Sequence, residues 1–425
     1  MSTGWFLLFC LVTVCREIVV PVSSSSLKSL DVVHEWKYID YDFNSDAHRQ
    51  VAIESGDYDY KNCVPRDMDR WNNKTFVTVM NDYGVPATLT VVTDKKGPGG
   101  PLLRPYPDWS WAHNKNCSGI TSAYAIAIDM CDRLWVIDAG LFADMQICRP
   151  RLLIFDLHTS TLLGDIEIPE DSSKGRRSLY GWLTNIVVKT SGLDCTDTTA
   201  YIADTLGADL IVYNGKGMLR LNSWDLEHDS DAALQSAEKK SRKMECGIAA
   251  MGLSSLTQNL YFTALFSRAL GVANTDGNDD GFENMFETQA TALAVSKTGA
   301  VFFGLADDTS IACWSEYKTL KTNHIEVISR DCATFQFISS MKVKHFYPEE
   351  ELWVFSNRYH KNAGRGYNFN ETNFRIHMRD VNDLIRVECK CRTVKLRKLL
   401  FCYHRNQNDH STSQGFAFIQ DPCAT

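Results

Sequence analysis

The chain has 425 residues, 44% of them hydrophobic and 11% aromatic, so it can bury a large core in one or more domains. The formal net charge is −8 and the pI is near 5.8. A net acidic surface repels nucleic acids and anionic membranes, which argues against both as main partners and favours a small ligand or another protein.

The first segment is an apolar run at residues 5–15 that ends at Arg16 and Glu17. The run is too short to span a bilayer and has the length of a signal-peptide core. We therefore predict a cleaved signal peptide at residues 1–24 and a secreted, extracellular protein. The alternative is a buried N-terminal strand, because residues 1–4 carry no Lys or Arg. No later run of about 18 apolar residues occurs, so no membrane span is expected.

Cysteine usage agrees with export. Removal of the signal peptide leaves twelve of the fourteen cysteines, and an even number is what disulfide pairing requires. The sequence does not reveal which cysteines pair. Three sequons, at Asn73, Asn116 and Asn370, predict surface glycans on a secreted protein.

Residues 34–71 are dense in aromatic and charged residues and show no period of 2 or 3.6. We interpret them as an extended lead-in that packs on the outside of the domain. Strand-like blocks follow at spacings of about 44 to 62 residues. They begin near Phe76, Tyr124, Asn185, Gly247, Thr291 and Ile338.

The unit repeated within these blocks is a strand, a turn rich in Asp or Gly, and a second strand, as in residues 131–140 followed by 151–158. The same pattern recurs at residues 201–213, 259–273 and 301–314. Each block is rich in Val, Ile, Phe, Tyr and Thr, as short antiparallel strands require. Repetition at this length predicts an all-β fold: a six-bladed β-propeller of four-stranded antiparallel blades, spanning residues 25–385 with the lead-in.

Two segments depart from the blade pattern. Residues 226–245 combine helical propensity with alternating charge and almost no apolar face, which favours a solvated loop over a binding site for an acidic partner. Residues 386–425 form a basic, Cys-rich tail, interpreted as an appendage. Its Cys and His residues match no structural zinc spacing, and an oxidising compartment favours disulfides over zinc.

Seven stretches of the chain carry a family resemblance. They lie at residues 34–43, 97–111, 117–124, 131–140, 296–314, 352–358 and 373–376. Together, and in this order, they resemble the major royal jelly protein and yellow family of secreted insect proteins, and the royal jelly branch more than the yellow branch. The resemblance implies a six-bladed propeller, secretion, glycosylation and a role in nutrition, development or ligand carriage. Beyond about Asp383 the chain departs from the family, whose members end in a short polar tail.

Residues 276–287 satisfy the calcium-loop pattern of an EF-hand, with oxygen-bearing residues at positions 1, 3, 5 and 12 and glycine at position 6. An EF-hand needs flanking helices, whereas the segments on both sides are typical of strands. We therefore interpret the segment as a connecting loop and expect neither a bound metal nor a cofactor.

Signatures of catalysis are missing from the sequence. There is no nucleophile elbow, no P-loop, no paired-histidine zinc helix and no dinucleotide fingerprint, so no catalytic residue is predicted. Asp129, Asp138 and Asp204 stand at predicted strand ends, where carboxylates also face the channel of some propellers. We interpret them as structural turn residues.

A binding site is better supported than a catalytic one. The axial channel of a propeller is a concavity in which aromatic walls and a few polar groups orient an amphiphile or an aromatic amine. Some yellow relatives hold small amines in this way. The resemblance carries the ligand-binding role onto Tyr124, Ser356, Asn357, Asn373 and Phe374. The alternative, that these residues cap blades structurally, stays open.

The leading hypothesis is a secreted, glycosylated, non-enzymatic propeller that binds a small hydrophobic or biogenic-amine-like ligand and has a nutritive, developmental or signalling role. Self-association or a small protein partner is left open. The alternative is an enzyme of the dopachrome-converting type attributed to yellow relatives, and a third option is a structural or self-assembling protein. The fold cannot decide between them, because function depends on the site.

Overall fold

The computed structural model describes most of the chain between residues 29 and 385. The described residues are 29–112, 117–143, 145–170, 181–192, 194–207, 209–222, 247–264, 267–275, 280–284, 286, 288–306, 308–346, 348–358 and 366–385. The predicted signal peptide, Asn116, the 226–245 segment and the 386–425 tail lie outside these residues.

The elements follow one another as successive four-stranded sheets. The first described elements are β1 (Asp31–Trp36) and α1 (Asp46–Glu54). Blade 1 contains β2 (Pro65–Trp71), β3 (Lys74–Val79), β4 (Leu89–Gly97) and β5 (Gly100–Pro105). Blade 2 contains β6 (Ala123–Ile128) and β7 (Arg133–Asp138), then an inserted hairpin of β8 (Leu141–Phe142) and β9 (Met145–Gln146), then β10 (Arg151–Asp156) and β11 (Leu162–Glu167).

The remaining blades repeat the plan. Blade 3 contains β12 (Leu183–Ser191), β13 (Asp197–Asp204), β14 (Asp209–Tyr213) and β15 (Met218–Asn222). Blade 4 contains β16 (Ile248–Leu253), β17 (Asn259–Ala264), β18 (Ala269–Asn274) and β19 (Asp280–Asn284). Blade 5 contains β20 (Ala290–Val295), β21 (Ala300–Leu305), β22 (Ser310–Ser315) and β23 (Glu326–Arg330). Blade 6 contains β24 (Phe337–Phe346), β25 (Glu349–Asn357), β26 (Phe374–Asp380) and β1, and α2 (Val381–Ile385) follows.

Each blade is antiparallel throughout, and the innermost strands of neighbouring blades contact one another in a closed ring. The predicted six-bladed all-β propeller with four-stranded antiparallel blades is therefore confirmed. The innermost strands are β2, β6, β12, β16, β20 and β24. We call the end of the propeller at which these six strands begin the upper face. Among the described residues no helix is both long and apolar enough to cross a bilayer.

The lead-in at residues 34–71 differs from its interpretation as an external wrapping. Strand β1 pairs with β26 and forms the outermost strand of blade 6, so the two ends of the propeller share one sheet. Strand β2 is the innermost strand of blade 1, whereas Phe76, where the first block was placed, lies on the second strand. The blade pattern therefore begins before residue 76.

The polar character of β2 explains why no strand period is visible there. Asp67 accepts a hydrogen bond from the backbone N–H of Ile126 in blade 2 (2.8 Å), and its side chain also bonds to blade 6. Asp69 pairs with Lys344 of blade 6 at 2.7 Å, and both side chains are largely buried. Ion pairs and hydrogen bonds thus replace the apolar contacts that an alternating strand would make.

Hydroxyl groups link the innermost strands at the upper face. Each innermost strand begins with a register shift, which turns side chains out of the regular ladder. The Thr291 hydroxyl donates to the carbonyl of Ile338 (2.8 Å), and the Ser339 hydroxyl donates to the carbonyl of Arg66 (2.7 Å). Two further hydroxyls donate to the innermost strand of the next blade from the second strand of a blade or the residue after it: Thr205 to the carbonyl of Ile248 and Thr263 to the carbonyl of Ala290.

Two disulfides brace blades 2 and 3. Cys117–Cys148 ties the segment before β6 to the insertion of the same blade, and Cys131–Cys195 joins blade 2 to blade 3. Cys313 is also disulfide-bonded. The expectation of disulfide bonds is confirmed for these cysteines. Cys63 is a buried free thiol, and burial raises its pKa well above the ordinary value.

The EF-hand-like segment contains a strand of blade 4. Asp280–Asn284 is strand β19, which pairs with β18 through Ala273↔Asp280. Positions 5 to 9 of the calcium pattern are therefore extended, whereas a calcium loop must curl around its ion. The rest of the pattern, except for Phe286, lies outside the described residues.

We expect calcium to be dispensable for folding. Chelation with EDTA should leave the melting temperature unchanged, because a ligand that stabilises the native state raises that temperature only if it binds there. Differential scanning calorimetry with and without EDTA measures this. A decrease of several degrees that added Ca²⁺ reverses would contradict the expectation.

Candidate ligand site at the channel mouth

The channel mouth at the upper face is built around Arg66 of β2, Tyr124 of β6 and Trp182, next to β12. The Arg66 Nη1 atom donates hydrogen bonds to the carbonyl oxygens of Tyr124 (3.2 Å) and Thr184 (2.9 Å). Through these two bonds the guanidinium of Arg66, which belongs to blade 1, contacts blades 2 and 3. Contact with three innermost strands places it at the channel.

Register shifts near the start of the innermost strands aim these side chains. In β2 the shift falls between Pro65 and Met68, and in β6 it falls between Ala123 and Ala125. Arg66 and Tyr124 occupy the shifted positions. A β-bulge turns a side chain away from the direction that regular pleating would give it. The same local irregularity therefore positions the cation and the aromatic ring.

Aromatic rings form the wall of this mouth. The guanidinium carbon of Arg66 lies 4.0 Å from the centre of the Tyr124 ring, and the Tyr124 and Trp182 rings are in edge contact with centres 6.1 Å apart. Arg66 and Trp182 are half-buried, and Tyr124 is 5% exposed. The mouth thus combines apolar surface with groups that reach its edge.

Several hydrogen-bond donors at the mouth remain unused. The Nε and Nη2 groups of Arg66, the hydroxyl of Tyr124 and the indole N–H of Trp182 have no hydrogen-bond partner among the described residues. No carboxylate in that part of the chain lies within ion-pair distance of Arg66. None of these groups is among the fully buried polar atoms without a partner, so they reach the solvent side of the mouth and are open to a ligand.

The three strand-end carboxylates are engaged in holding turns. Asp204 is fully buried and accepts hydrogen bonds from the backbone N–H of Trp182 (2.8 Å) and Gly207 (2.7 Å). Asp138 accepts a hydrogen bond from the backbone N–H of Ser122 (2.7 Å) and forms an ion pair with Arg151. Asp129 accepts from the Trp135 indole (2.9 Å) at the opposite face. This geometry agrees with the structural role inferred for them.

Ser356 and Asn357 lie at the end of β25 in blade 6, and both are buried. The Ser356 hydroxyl is 3.1 Å from Nε2 of His377 on the neighbouring strand β26. The Ser356 side chain therefore belongs to the interior of blade 6. Tyr124, by contrast, contacts Arg66 and Trp182.

Asn373 and Phe374 also belong to blade 6. The Asn373 amide nitrogen donates to the backbone carbonyls of Lys37 (2.7 Å), Asn368 (3.0 Å) and Glu371 (3.1 Å), while its oxygen is buried and finds no partner within the described ranges. Phe374 is 1% exposed and packs on the ring of Tyr367. The structure thus separates the predicted residues into Tyr124 at the mouth and four residues within blade 6.

His377 is a buried titratable group in this second set. It is 1% exposed and packs against Phe335, and burial, followed by the charge of Arg375, lowers its pKa to about 4. Its Nδ1 atom has no partner among the described residues. The imidazole is therefore neutral at ordinary pH and contributes to packing.

We expect the free energy of unfolding to decrease as the pH falls from about 6.5 to about 4. In this range the unfolded His377 takes up a proton and the folded one does not, which is worth roughly 3 kcal/mol below the folded pKa. The His377→Gln variant should show a shallower decrease in urea unfolding experiments between pH 7 and pH 4. His34, whose pKa burial also lowers to about 4, accounts for part of the remaining slope.

The exposed His158→Gln variant is the matched control and should keep the full pH dependence, because 63% of the His158 side chain is exposed. A slope in His377→Gln as steep as that of the wild type would contradict the expectation.

The amino-acid sequence is similar to a known protein family. The family model described as "Major royal jelly protein" matches residues 121–389, more than half of the chain. The chain belongs to the major royal jelly protein family. Among the relatives, Major royal jelly protein 8 of Apis mellifera is 44% identical over 407 residues, covering 90% of this chain and 98% of that protein. Major royal jelly protein 1 of Apis mellifera is 42% identical over 412 residues, covering 90% and 95%.

The chain also shows low similarity to two lyases of known structure. A streptogramin B lyase has a TM-score of 0.41 at 11% identity and covers 74% of this chain and 78% of its own. A virginiamycin B lyase from Staphylococcus aureus has a TM-score of 0.40 at 10% identity, covering 69% and 78%. This similarity is too low to indicate what the candidate site of this royal jelly family member binds.

Sequence reasoning missed Arg66 and Trp182. Arg66 lies outside the residues that the royal jelly family model matches, and it follows Pro65 in a strand without apolar alternation. A signal was available, since Arg66 stands at the same place in blade 1 as Tyr124 does in blade 2. Placing the first block at Phe76 concealed that correspondence.

Proposed function

We propose that this royal jelly family member is an extracellular, non-enzymatic propeller that binds a small ligand with a hydrophobic body and a polar end at the channel mouth. The role in the organism would be nutritive, developmental or signalling. The observation that carries the proposal is the set of unused donors on Arg66, Tyr124 and Trp182 beside an aromatic wall. Apolar concavities with a few convergent polar groups are the usual form of small-molecule sites.

Secretion and glycosylation are part of the proposal. The apolar run at residues 5–15, two disulfides and the sequons support them, and the side chains of Asn73 and Asn370 are both exposed. Peptide mass mapping of the secreted protein should find an N-terminus near residues 23–27 and glycans on both asparagines. An uncleaved N-terminus would contradict secretion by this route.

The binding role is tested by calorimetry on the full chain. We expect saturable one-to-one binding of at least one of five probes: 1-octanol, octylamine, octanoate, tryptamine or cholesterol. Tyr124→Phe should weaken the binding by about 0.5–1.5 kcal/mol, the usual net value of one hydrogen bond. Tyr213→Phe removes a phenol on β14, away from the mouth, and should leave affinity unchanged. If none of the probes binds, the proposed function is wrong.

An enzyme of the dopachrome-converting type needs a group that transfers protons at the substrate. At the mouth, the described residues offer the Tyr124 phenol and the Arg66 guanidinium, and His377 is buried in blade 6. This geometry supports binding more than turnover. Loss of dopachrome colour above the uncatalysed rate would overturn the non-enzymatic part of the proposal.

A further inference from the structure

Arg66 is a half-buried cation with no carboxylate within ion-pair distance in the part of the chain that the structure describes. Three other partly buried arginines of the propeller have one, since Arg151 pairs with Asp138, Arg220 with Asp204 and Arg358 with Glu371, whereas Arg70 shares with Arg66 the lack of a carboxylate within ion-pair distance among the described residues. Arg66 instead donates to two backbone carbonyls, which offer only partial negative charge. A cation removed from water without an anion is costly, so an anion at this place would stabilise it.

The unused edge of the Arg66 guanidinium has the geometry that carboxylates require. Both protein hydrogen bonds leave from Nη1. The remaining Nε and Nη2 groups lie along one edge of the planar fork, and their N–H bonds run parallel. This edge is the one that takes both oxygens of a carboxylate at once.

The same guanidinium disfavours a cationic ligand. An ammonium group would bind the Tyr124 ring through its face, where the Arg66 carbon already lies 4.0 Å from the ring centre. A second positive charge beside Arg66 would also be repelled. The mouth therefore discriminates between head groups by charge.

We infer that the ligand of this site is an amphiphile with a carboxylate head, and that Arg66 determines this specificity. The inference rests on the proposed function at the same mouth. The carboxylate lies on the Nε and Nη2 edge of Arg66, within reach of the Tyr124 hydroxyl as a further donor. The apolar body lies along the aromatic wall of Tyr124 and Trp182.

The test compares three probes that share a chain and differ in the head group: octanoate, 1-octanol and octylamine. Calorimetry on the wild-type full chain should find that octanoate binds at least about tenfold more tightly than 1-octanol and that octylamine binds most weakly, since a charge-assisted pair exceeds a neutral hydrogen bond by this order. Added salt should weaken octanoate binding and leave 1-octanol binding unchanged.

Two variants on the same strand sharpen the comparison. Arg66→Gln keeps an amide donor for a carbonyl and removes the charge, so octanoate should lose at least about tenfold in affinity, while 1-octanol should change less than about threefold. Arg70→Gln is the matched control. Arg70 also lies on β2 and stacks on an aromatic ring, with its guanidinium carbon 4.6 Å from the Trp353 ring centre, but at the opposite end of the strand. It should bind octanoate like the wild type.

The outcomes separate this inference from the proposed function. Equal or tighter binding of 1-octanol or octylamine by the wild type would overturn the carboxylate specificity and leave the binding site standing. Absence of binding by all three, and by tryptamine and cholesterol, would overturn both. If Arg66→Gln does not fold, the affinities of the wild type for the three head groups and their salt dependence still test the carboxylate specificity.

Discussion

Replacing Asp204 with Ala is expected to lower the free energy of unfolding by about 3 kcal/mol. The carboxylate is fully buried, pairs with Arg220 and accepts hydrogen bonds from two backbone N–H groups, of Trp182 and Gly207. The Arg220 side chain is only 10% exposed, so the substitution leaves a cation away from water. Asp209, 3.4 Å from the same guanidinium, moderates the loss.

The Asp308→Ala variant is the control for this prediction. Asp308 pairs with Arg330 in blade 5 at 2.5 Å, but the side chains are 34% and 42% exposed. An exposed ion pair contributes about 0–1 kcal/mol, so the loss should stay within that range. Urea unfolding at pH 7 measures both variants. Similar losses would show that burial of the Asp204 pair does not control its contribution.

The Gly140→Ala variant is expected to lose about 3 kcal/mol or more. Gly140 follows β7, where its φ of +66° permits the turn into the insertion of blade 2. A Cβ atom there would lie 2.1 Å from the carbonyl oxygen of Cys148, so the backbone would have to move. This displacement adds to the cost of a left-handed conformation with a side chain, about 1–2 kcal/mol.

Gly56→Ala separates the two contributions. Gly56 has a similar φ of +77°, but a Cβ atom there would meet nothing within 4 Å. We expect this variant to lose only about 1–2 kcal/mol. Both are measured by denaturant unfolding under oxidising conditions, which keep Cys117–Cys148 intact. A loss in Gly140→Ala no larger than in Gly56→Ala would refute the proposed clash.

Five of the six blades could be predicted from the sequence because their signals are local. Blocks placed near Tyr124, Asn185, Gly247, Thr291 and Ile338 begin within two residues of the innermost strands. Strand residues and the turn residues between them repeat within each block, and short antiparallel hairpins need no distant partner to be recognised. The first blade lacked this signal. Its innermost strand, β2, carries Asp67 and Asp69 where apolar residues would be expected, and their ion-pair partners are lysines of blade 6, far away in the sequence.

The sequence by itself determined the repeat and the strand type, and its family resemblance suggested Tyr124 as one residue of the candidate site, which stays a prediction. Only the tertiary structure decided how β1 closes blade 6 and which groups meet Tyr124. Arg66 reaches carbonyls 58 and 118 positions along the chain, and no local pattern encodes such contacts. A ligand site consists of the donors that remain after folding has satisfied the others. That remainder depends on every long-range contact, so it can be identified only when the ring of blades is complete.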